Sequence, residues 1–240
     1  MATLESLTEL AGLFEPARDA LASYVDAVVS WRAGNITGLS DRAQIVDTLV
    51  GDSLALLAVD EVRAASVVSG STWLDLGSGA GVPGLPLALT VPEIHVTLLD
   101  SVSKKCAFLR HAVMATGLED RVRVICSRSE ELATRPGERE AYRIVLARAV
   151  GPLATLIELA APLLMLGGQL VVCTSAPRAA EESAAAAGAA DACGLAPGRT
   201  VPLTRSPLDR SVAVMLEKAA PTPSWLPRRI GLARRRPLGS

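Results

Sequence analysis

WLDLGSGAGVPGLPLAL, residues 73–89, joins a short apolar run to a glycine-rich turn and then to a helix-forming segment. That order, strand then glycines then helix, is how α/β proteins bring a nucleotide-like ligand against backbone. Glycines at Gly77, Gly79 and Gly81 let the chain turn tightly and let a ligand approach without a Cβ in the way. No Gly-Lys-Ser/Thr ending follows, so a phosphate-binding P-loop is excluded. Asp75 stands two residues before the first glycine. An acid there is a poor neighbour for a diphosphate, but it suits a ligand carrying an ammonium and a sulfonium, as S-adenosylmethionine does.

Downstream, further short Val-, Leu- and Ile-rich runs follow: HVTLLD (95–100), RVRVIC (121–126), RIVLAR (143–148) and QLVVCT (169–174). Each precedes a helical stretch, over 84–91 after the first run and then over 103–116, 129–134, 152–165 and 177–192. Five alternations of this kind predict a parallel sheet with helices on both faces. RTVPLTR (199–205) and SVAVMLEK (211–218) add two strands around Ser206-Pro207, a hairpin-like ending. The result is the α/β, doubly wound, mostly parallel seven-stranded sheet of class I methyltransferases. Alanine-rich residues 179–192 are explained by helix propensity alone.

Upstream, Leu21, Tyr24, Val25 and Val28 fall at helical spacing and predict a helix over 16–32. Ser40 is the expected N-cap of a second helix reaching about Leu57. The chain thus divides into a helical cap (1–69), a cofactor-binding domain (70–218) and a basic Pro- and Arg-rich tail (219–240), the tail showing neither helical nor strand period.

The chain has 240 residues and a net charge of −1, which splits unevenly. From Ala219 onward there are five arginines (Arg228, Arg229, Arg234, Arg235, Arg236) and no acid, so +5 sits on the tail and −6 on the rest. Such a tail suits a polyanionic partner, or is simply a solvated terminus. Aromatic residues make up only 3% of the chain, leaving Trp31 and Trp225 as the candidates for base stacking. Cys106, Cys126, Cys173 and Cys193 never form a C-x-x-C pair, and with His95 and His111 the only histidines, no metal site is expected. No apolar stretch approaches the length of a membrane span and the N-terminus lacks an early positive cluster, so a cytoplasmic protein without membrane attachment is expected.

Asp100 closes the second strand, where α/β nucleotide binders put a carboxylate against ribose hydroxyls. It also precedes the next helix, so a capping role is open to it. Arg148 ends the fourth strand and faces the ligand crevice of such folds, with a salt bridge to Asp75 or Glu130 as the structural alternative.

LDLGSGAGVPGLPLAL (74–89), LLDSVSKKCAFLR (98–110), SRSEE (127–131) and LARAVGPL (146–153) closely resemble the RsmG family, also called GidB. WRAGNIT (31–37), DSLALL (52–57) and PSWLPRRIGLARRRPL (223–238) extend the likeness over nearly the whole chain. The resemblance implies methyl transfer from S-adenosylmethionine to N7 of a guanine in the decoding-site loop of 16S rRNA, with the rRNA or the small ribosomal subunit as partner. It implies that Gly77 and Val82 line the cofactor, that Ser129 and Glu130 flank its adenine, and that Arg148 lies beside the methionine moiety and the acceptor. Asp75, Gly79, Gly81 and Asp100 complete the expected cofactor set, and the tail arginines would meet phosphates. A monomer is expected.

The chain departs from the family pattern at Leu49, where histidine is usual, at Thr174-Ser175, where a Lys-Gly pair is usual, and at Ala233, where proline is common. These changes retune RNA contacts, or else mark a paralogue acting on another RNA or a small molecule. A cofactor-binding RNA factor without catalysis is the third reading.

Overall fold

The computed structural model describes residues 17–148 and 150–239. Seven strands form one sheet: β1 (Ser71–Leu76), β2 (Ile94–Asp100), β3 (Val122–Cys126), β4 (Tyr142–Arg148), β5 (Leu164–Ser175), β6 (Arg199–Pro202) and β7 (Ser211–Glu217). Their order is β3-β2-β1-β4-β5-β7-β6. The first five run parallel, and β7 pairs antiparallel with both β5 and β6. The doubly wound, mostly parallel sheet read from the sequence is therefore present. Strand order reverses between β1 and β4, so both carry their carboxyl ends to the topological switch point, where ligands of such folds sit.

Alternate residues of each strand face opposite layers. Trp73, Leu98, Ile144 and Val171 join the core under α1 (Arg18–Ser30), α5 (Gly84–Thr90) and α6 (Ser103–Ala115). Leu74, Val145, Leu170 and Val172 join the opposite core, under α8 (Leu153–Ala160) and α9 (Ala176–Cys193). The cap helices thus cover one face of the sheet, with Tyr24, Ile45 and Leu54 fully buried there. Among the described residues, no helix is long and apolar enough to cross a membrane.

Several boundaries differ from the sequence reading. The expected helix from Ser40 to Leu57 is capped by Asp41, whose Oδ1 accepts the Gln44 amide at 2.8 Å. It then changes character three times, running as α2 (Arg42–Ile45), a π-helical segment (Val46–Gly51), α3 (Asp52–Leu54) and a 3₁₀ segment (Ala55–Ala58), before α4 (Asp60–Ser66). The helix expected over 152–165 stops at Ala160 because Pro162 has no amide hydrogen to continue it. α7 is only Ser129–Leu132, and β6 ends at Pro202 rather than at Arg205.

The tail is not structureless. It carries α10 (Leu232–Arg235), and Leu226 and Ala233 are buried in the core that α8 and α9 cover. Arg139 donates to the carbonyls of Thr222, Pro223 and Leu226, and Thr155 Oγ1 donates to that of Ala233. Polar side chains from the body thus satisfy backbone groups that no helix or strand could pair.

Candidate active site at the carboxyl edge of the sheet

The glycine loop is fastened from several directions. The amides of Gly77 and Ser78 both donate to Leu99 O, at 2.8 and 3.0 Å. Gly77, Gly79 and Gly81 all hold positive φ, at 75°, 55° and 89°, conformations that L side chains rarely adopt. A Cβ on Gly77 would stand 2.7 Å from Val150 Cγ2, so the bare backbone is what lets the loop after β4 close on it. From the cap, Tyr24 donates its hydroxyl to Ala80 O at 2.8 Å.

Asp75 lies beneath this loop, fully buried. Its Oδ2 accepts the Gly84 amide at 3.0 Å, while Oδ1 has no partner. Burial pushes its carboxyl up to about 7, with the Gly84 and Ser78 hydrogen bonds pulling the other way. Asp75 therefore holds the two ends of the loop together from below, rather than lining the cleft as a ligand to an ammonium would.

Above the loop is a cleft with a volume of about 290 Å³, whose lining includes Gly77, Asp100, Ser129, Glu130, Val150 and Arg234. Of the two roles that the sequence left open to it, Asp100 shows the capping one, and its carboxylate also lines the cleft. Its Oδ1 accepts the Val102 amide at 2.9 Å, just ahead of α6, and its Oδ2 accepts the Gly79 amide at 3.0 Å. Each carboxylate oxygen keeps a second acceptor site, and the group lines the cleft. A vicinal diol is the ligand for which such a carboxylate is built. Lys105 Nζ stands 3.9 Å from Asp100 Oδ2. At the far end, Glu130 Oε2 accepts from Ser129 Oγ at 3.3 Å and Oε1 accepts the Gly231 amide at 2.9 Å. The lining carries two acids, Asp100 and Glu130, and three basic side chains, Lys105, Arg128 and Arg234, over a floor that includes Gly77, an arrangement with room and hydrogen-bonding groups for a nucleoside. Gly79, Gly81 and Val82 shape the loop and do not line this cleft.

Arg148 lines a second cleft, also about 290 Å³, with Asp52, Thr174, Ser175, Arg178 and Glu182. Its Nη1 donates to Thr48 O at 2.6 Å and lies 3.1 Å from Asp52 Oδ2. The ion-pair partner is thus Asp52, not Asp75 or Glu130. The π-helical turn carries Asp52 over the end of β4, and π turns are frequent at functional sites. Asp52 Oδ1 also accepts from Ser206 and Ser211, each at 2.6 Å. Leu49, on the same turn, is buried in the core, where a side chain without polar atoms leaves nothing unpaired.

The loop after β4 contributes to both clefts, with Val150 in the first and Gly151 in the second. Sequence reasoning missed the clamp on that loop. Arg178 donates to Gly151 O at 2.9 Å, and Glu182 Oε2 accepts the Leu153 amide at 2.6 Å. The two side chains also pair with each other, Nε to Oε1 at 2.8 Å. The available signal was an i, i+4 charge pair on a helix, which ordinarily marks a solvated face.

Of the five tail arginines, Arg228 does not stand free for phosphate. It makes a two-pronged ion pair with buried Glu158, Nε and Nη2 each 2.5 Å from a carboxylate oxygen. Arg229, Arg234, Arg235 and Arg236 are exposed, and Arg234 lines the first cleft. Trp31 is not available to stack on a base, because it packs edge-on against Phe108 at 5.5 Å. Trp225 is half exposed.

A family model described as rRNA small subunit methyltransferase G matches residues 17–203. Several relatives bear the name ribosomal RNA small subunit methyltransferase G, two of which illustrate the likeness. One, from Chloroflexus aggregans, is 37% identical over 219 residues, covering 90% of this chain and 87% of its own. The other, from Roseiflexus castenholzii, is 38% identical over 209 residues, covering 85% and 84%. Among solved structures, a putative S-adenosyl-L-methionine-dependent methyltransferase from Methanococcus maripaludis superimposes with a TM-score of 0.54 at 15% identity, over 80% of this chain and 97% of that one. That likeness bears on the fold alone.

Proposed function

The chain belongs to the GidB family, rRNA small subunit methyltransferase G, and from that membership we propose that it methylates N7 of a guanine in the decoding-site loop of 16S rRNA. It is a methyltransferase and its cofactor is S-adenosylmethionine, which supplies an electrophilic methyl group on a sulfonium. The observation that carries the finer reading is that consecutive residues, Val150 and Gly151, line two clefts, one that includes Asp100 and the other Arg148.

In this reading Asp100 holds the ribose hydroxyls, Ser129 and Glu130 flank the adenine, and Gly77 gives its bare backbone to the methionine side. The second cleft takes the acceptor base. N7 of guanine already exposes a lone pair, so transfer needs no general base. The work of the chain is to align N7 with the methyl group and to keep the loop between the clefts in place. Arg178 and Glu182 hold that loop by its Gly151 carbonyl and Leu153 amide. Arg148, held by Asp52 and Thr48, presents a fixed cation to the guanine O6 or a neighbouring phosphate. The target base must be reachable, which suits an open loop of structured RNA. Arg229, Arg235 and Arg236 supply phosphate contacts from the tail. The chain acts as a monomer, in the cytoplasm, with the helical cap, cofactor domain and basic tail as its three parts.

Deleting the gene from its host tests this reading in cells. Small-subunit rRNA from the deletion strain should resist borohydride–aniline cleavage at one decoding-site guanine that is cleaved in the parent. The wild-type gene should restore cleavage and an Arg148→Ala version should not. Unchanged cleavage in the deletion strain would overturn the assignment.

A further inference from the structure

We propose that Arg234 and the Gly231 backbone form the adenine-end wall of the cofactor cleft, which makes the C-terminal segment part of the cofactor site and not only an RNA-binding tail. The inference rests on the reading that this cleft takes S-adenosylmethionine.

Three observations converge on it. Gly231 and Arg234 line the cleft together with Asp100, Ser129 and Glu130. The Gly231 amide donates at 2.9 Å to Glu130 Oε1, so the tail is tied to the acid at the adenine end. The segment is also locked in position. Arg228 grips Glu158, whose side chain is only 3% exposed, and donates to Arg236 O at 2.7 Å, which folds the intervening residues back toward the body. Ala233 is buried one residue before Arg234. A short helix anchored on both sides thus holds one arginine at the mouth of a cleft.

Among the described residues, Arg234 makes no ion pair or hydrogen bond, although Glu130 lines the same cleft. Its planar guanidinium retains a free face and free donors, which suits an adenine ring better than an ammonium group would. The neighbouring Arg235 and Arg236 do not line that cleft, so one segment has one arginine for the cofactor and others for the outside. Removing the whole tail would expose Leu226 and Ala233 and confound folding with binding, so point variants are the cleaner test.

Calorimetric titration of S-adenosylhomocysteine into the full chain, without RNA, reads the wall directly. Arg234→Gln should weaken binding about tenfold, the size of a partly desolvated cation–π contact. Arg234→Lys should recover little of that loss, because it restores charge without the plane. Arg205→Gln, an equal charge change on the distant β6–β7 loop, should bind as the wild type does. Arg234→Gln binding like wild type would overturn the inference. Failure of the wild type to bind would instead overturn the cofactor reading beneath it, and the wall with it.

Discussion

The guanidinium of Arg148 lies 3.1 Å from the carboxylate of Asp52, the arginine side chain 14% and the aspartate 3% exposed. The pair ties the end of the fourth strand to the helical cap at the edge of the second cleft. Removing one member of a buried pair leaves the other charge uncompensated, a loss of about 3–5 kcal/mol in general. Asp52→Asn should therefore lower stability by about 3 kcal/mol in denaturant unfolding and reduce methyl transfer as Arg148 loses its fixed position. Ser211→Ala, which removes one of several donors to Asp52, should lower stability by only about 1 kcal/mol. Equal losses from the two substitutions would refute the central place given to the pair.

The carboxyl of Asp75, raised to about 7, makes stability depend on pH. Between about pH 4 and pH 7 the folded chain holds a proton that the unfolded chain has released. The stabilisation from that proton is complete below the unfolded value, is lost as pH rises through about 7, and is gone above it. Across that window the loss is on the order of 4 kcal/mol at most. Denaturant midpoints should fall from pH 5 to pH 8 in the wild type, and Asp75→Asn should flatten the fall. A slope that survives the substitution would assign it to other groups.

Gly77→Ala places a Cβ 2.7 Å from Val150 Cγ2 at a φ of +75°. Both strains act on the floor of the cleft proposed for the cofactor, so affinity for S-adenosylhomocysteine should fall more than about tenfold. Gly38→Ala, where nothing lies within 4 Å, should leave it unchanged. Wild-type affinity in Gly77→Ala would show that the loop after β4 yields easily.

Two tail arginines separate packing from RNA contact. Arg228→Ala should destabilise the fold by about 3 kcal/mol, because Glu158 loses its ion pair. Arg235→Ala should leave stability alone and reduce the salt dependence of RNA binding by about 0.7 in log–log slope. The reverse pattern in unfolding and filter-binding assays would contradict the division.

What the sequence displayed and what it hid have a common physical basis. The central parallel strands β1 and β4 were legible because they are buried along nearly their whole length and so read as short apolar runs, while edge strand β3, with Arg123 and an exposed Cys126, was legible from its Val and Ile residues. The glycine loop and Asp100 were legible because they sit at fixed offsets from strand ends. Asp52 was not found as the partner of Arg148, because the π turn at Val46–Gly51 shifts the helical face without leaving a mark on apolar spacing. The tail showed neither helical nor strand period because its anchors are isolated residues, Leu226, Arg228 and Ala233. Arg228 in particular was counted with the phosphate ligands, and only the position of Glu158 on α8 distinguishes it. The Arg178–Glu182 clamp carries the same pattern as any exposed helical ion pair, so its grip on the Gly151–Leu153 loop needed three dimensions to be seen.

The most direct test of the central claim is transfer of a labelled methyl group from S-adenosylmethionine to purified small ribosomal subunits and to deproteinised 16S rRNA, followed by nucleoside analysis. Wild-type protein should yield 7-methylguanosine on at least one of the two. Arg148→Ala, assayed at a temperature where its circular dichroism remains that of the folded chain, should yield little. Tight cofactor binding by the wild type with no 7-methylguanosine on either substrate would contradict the account.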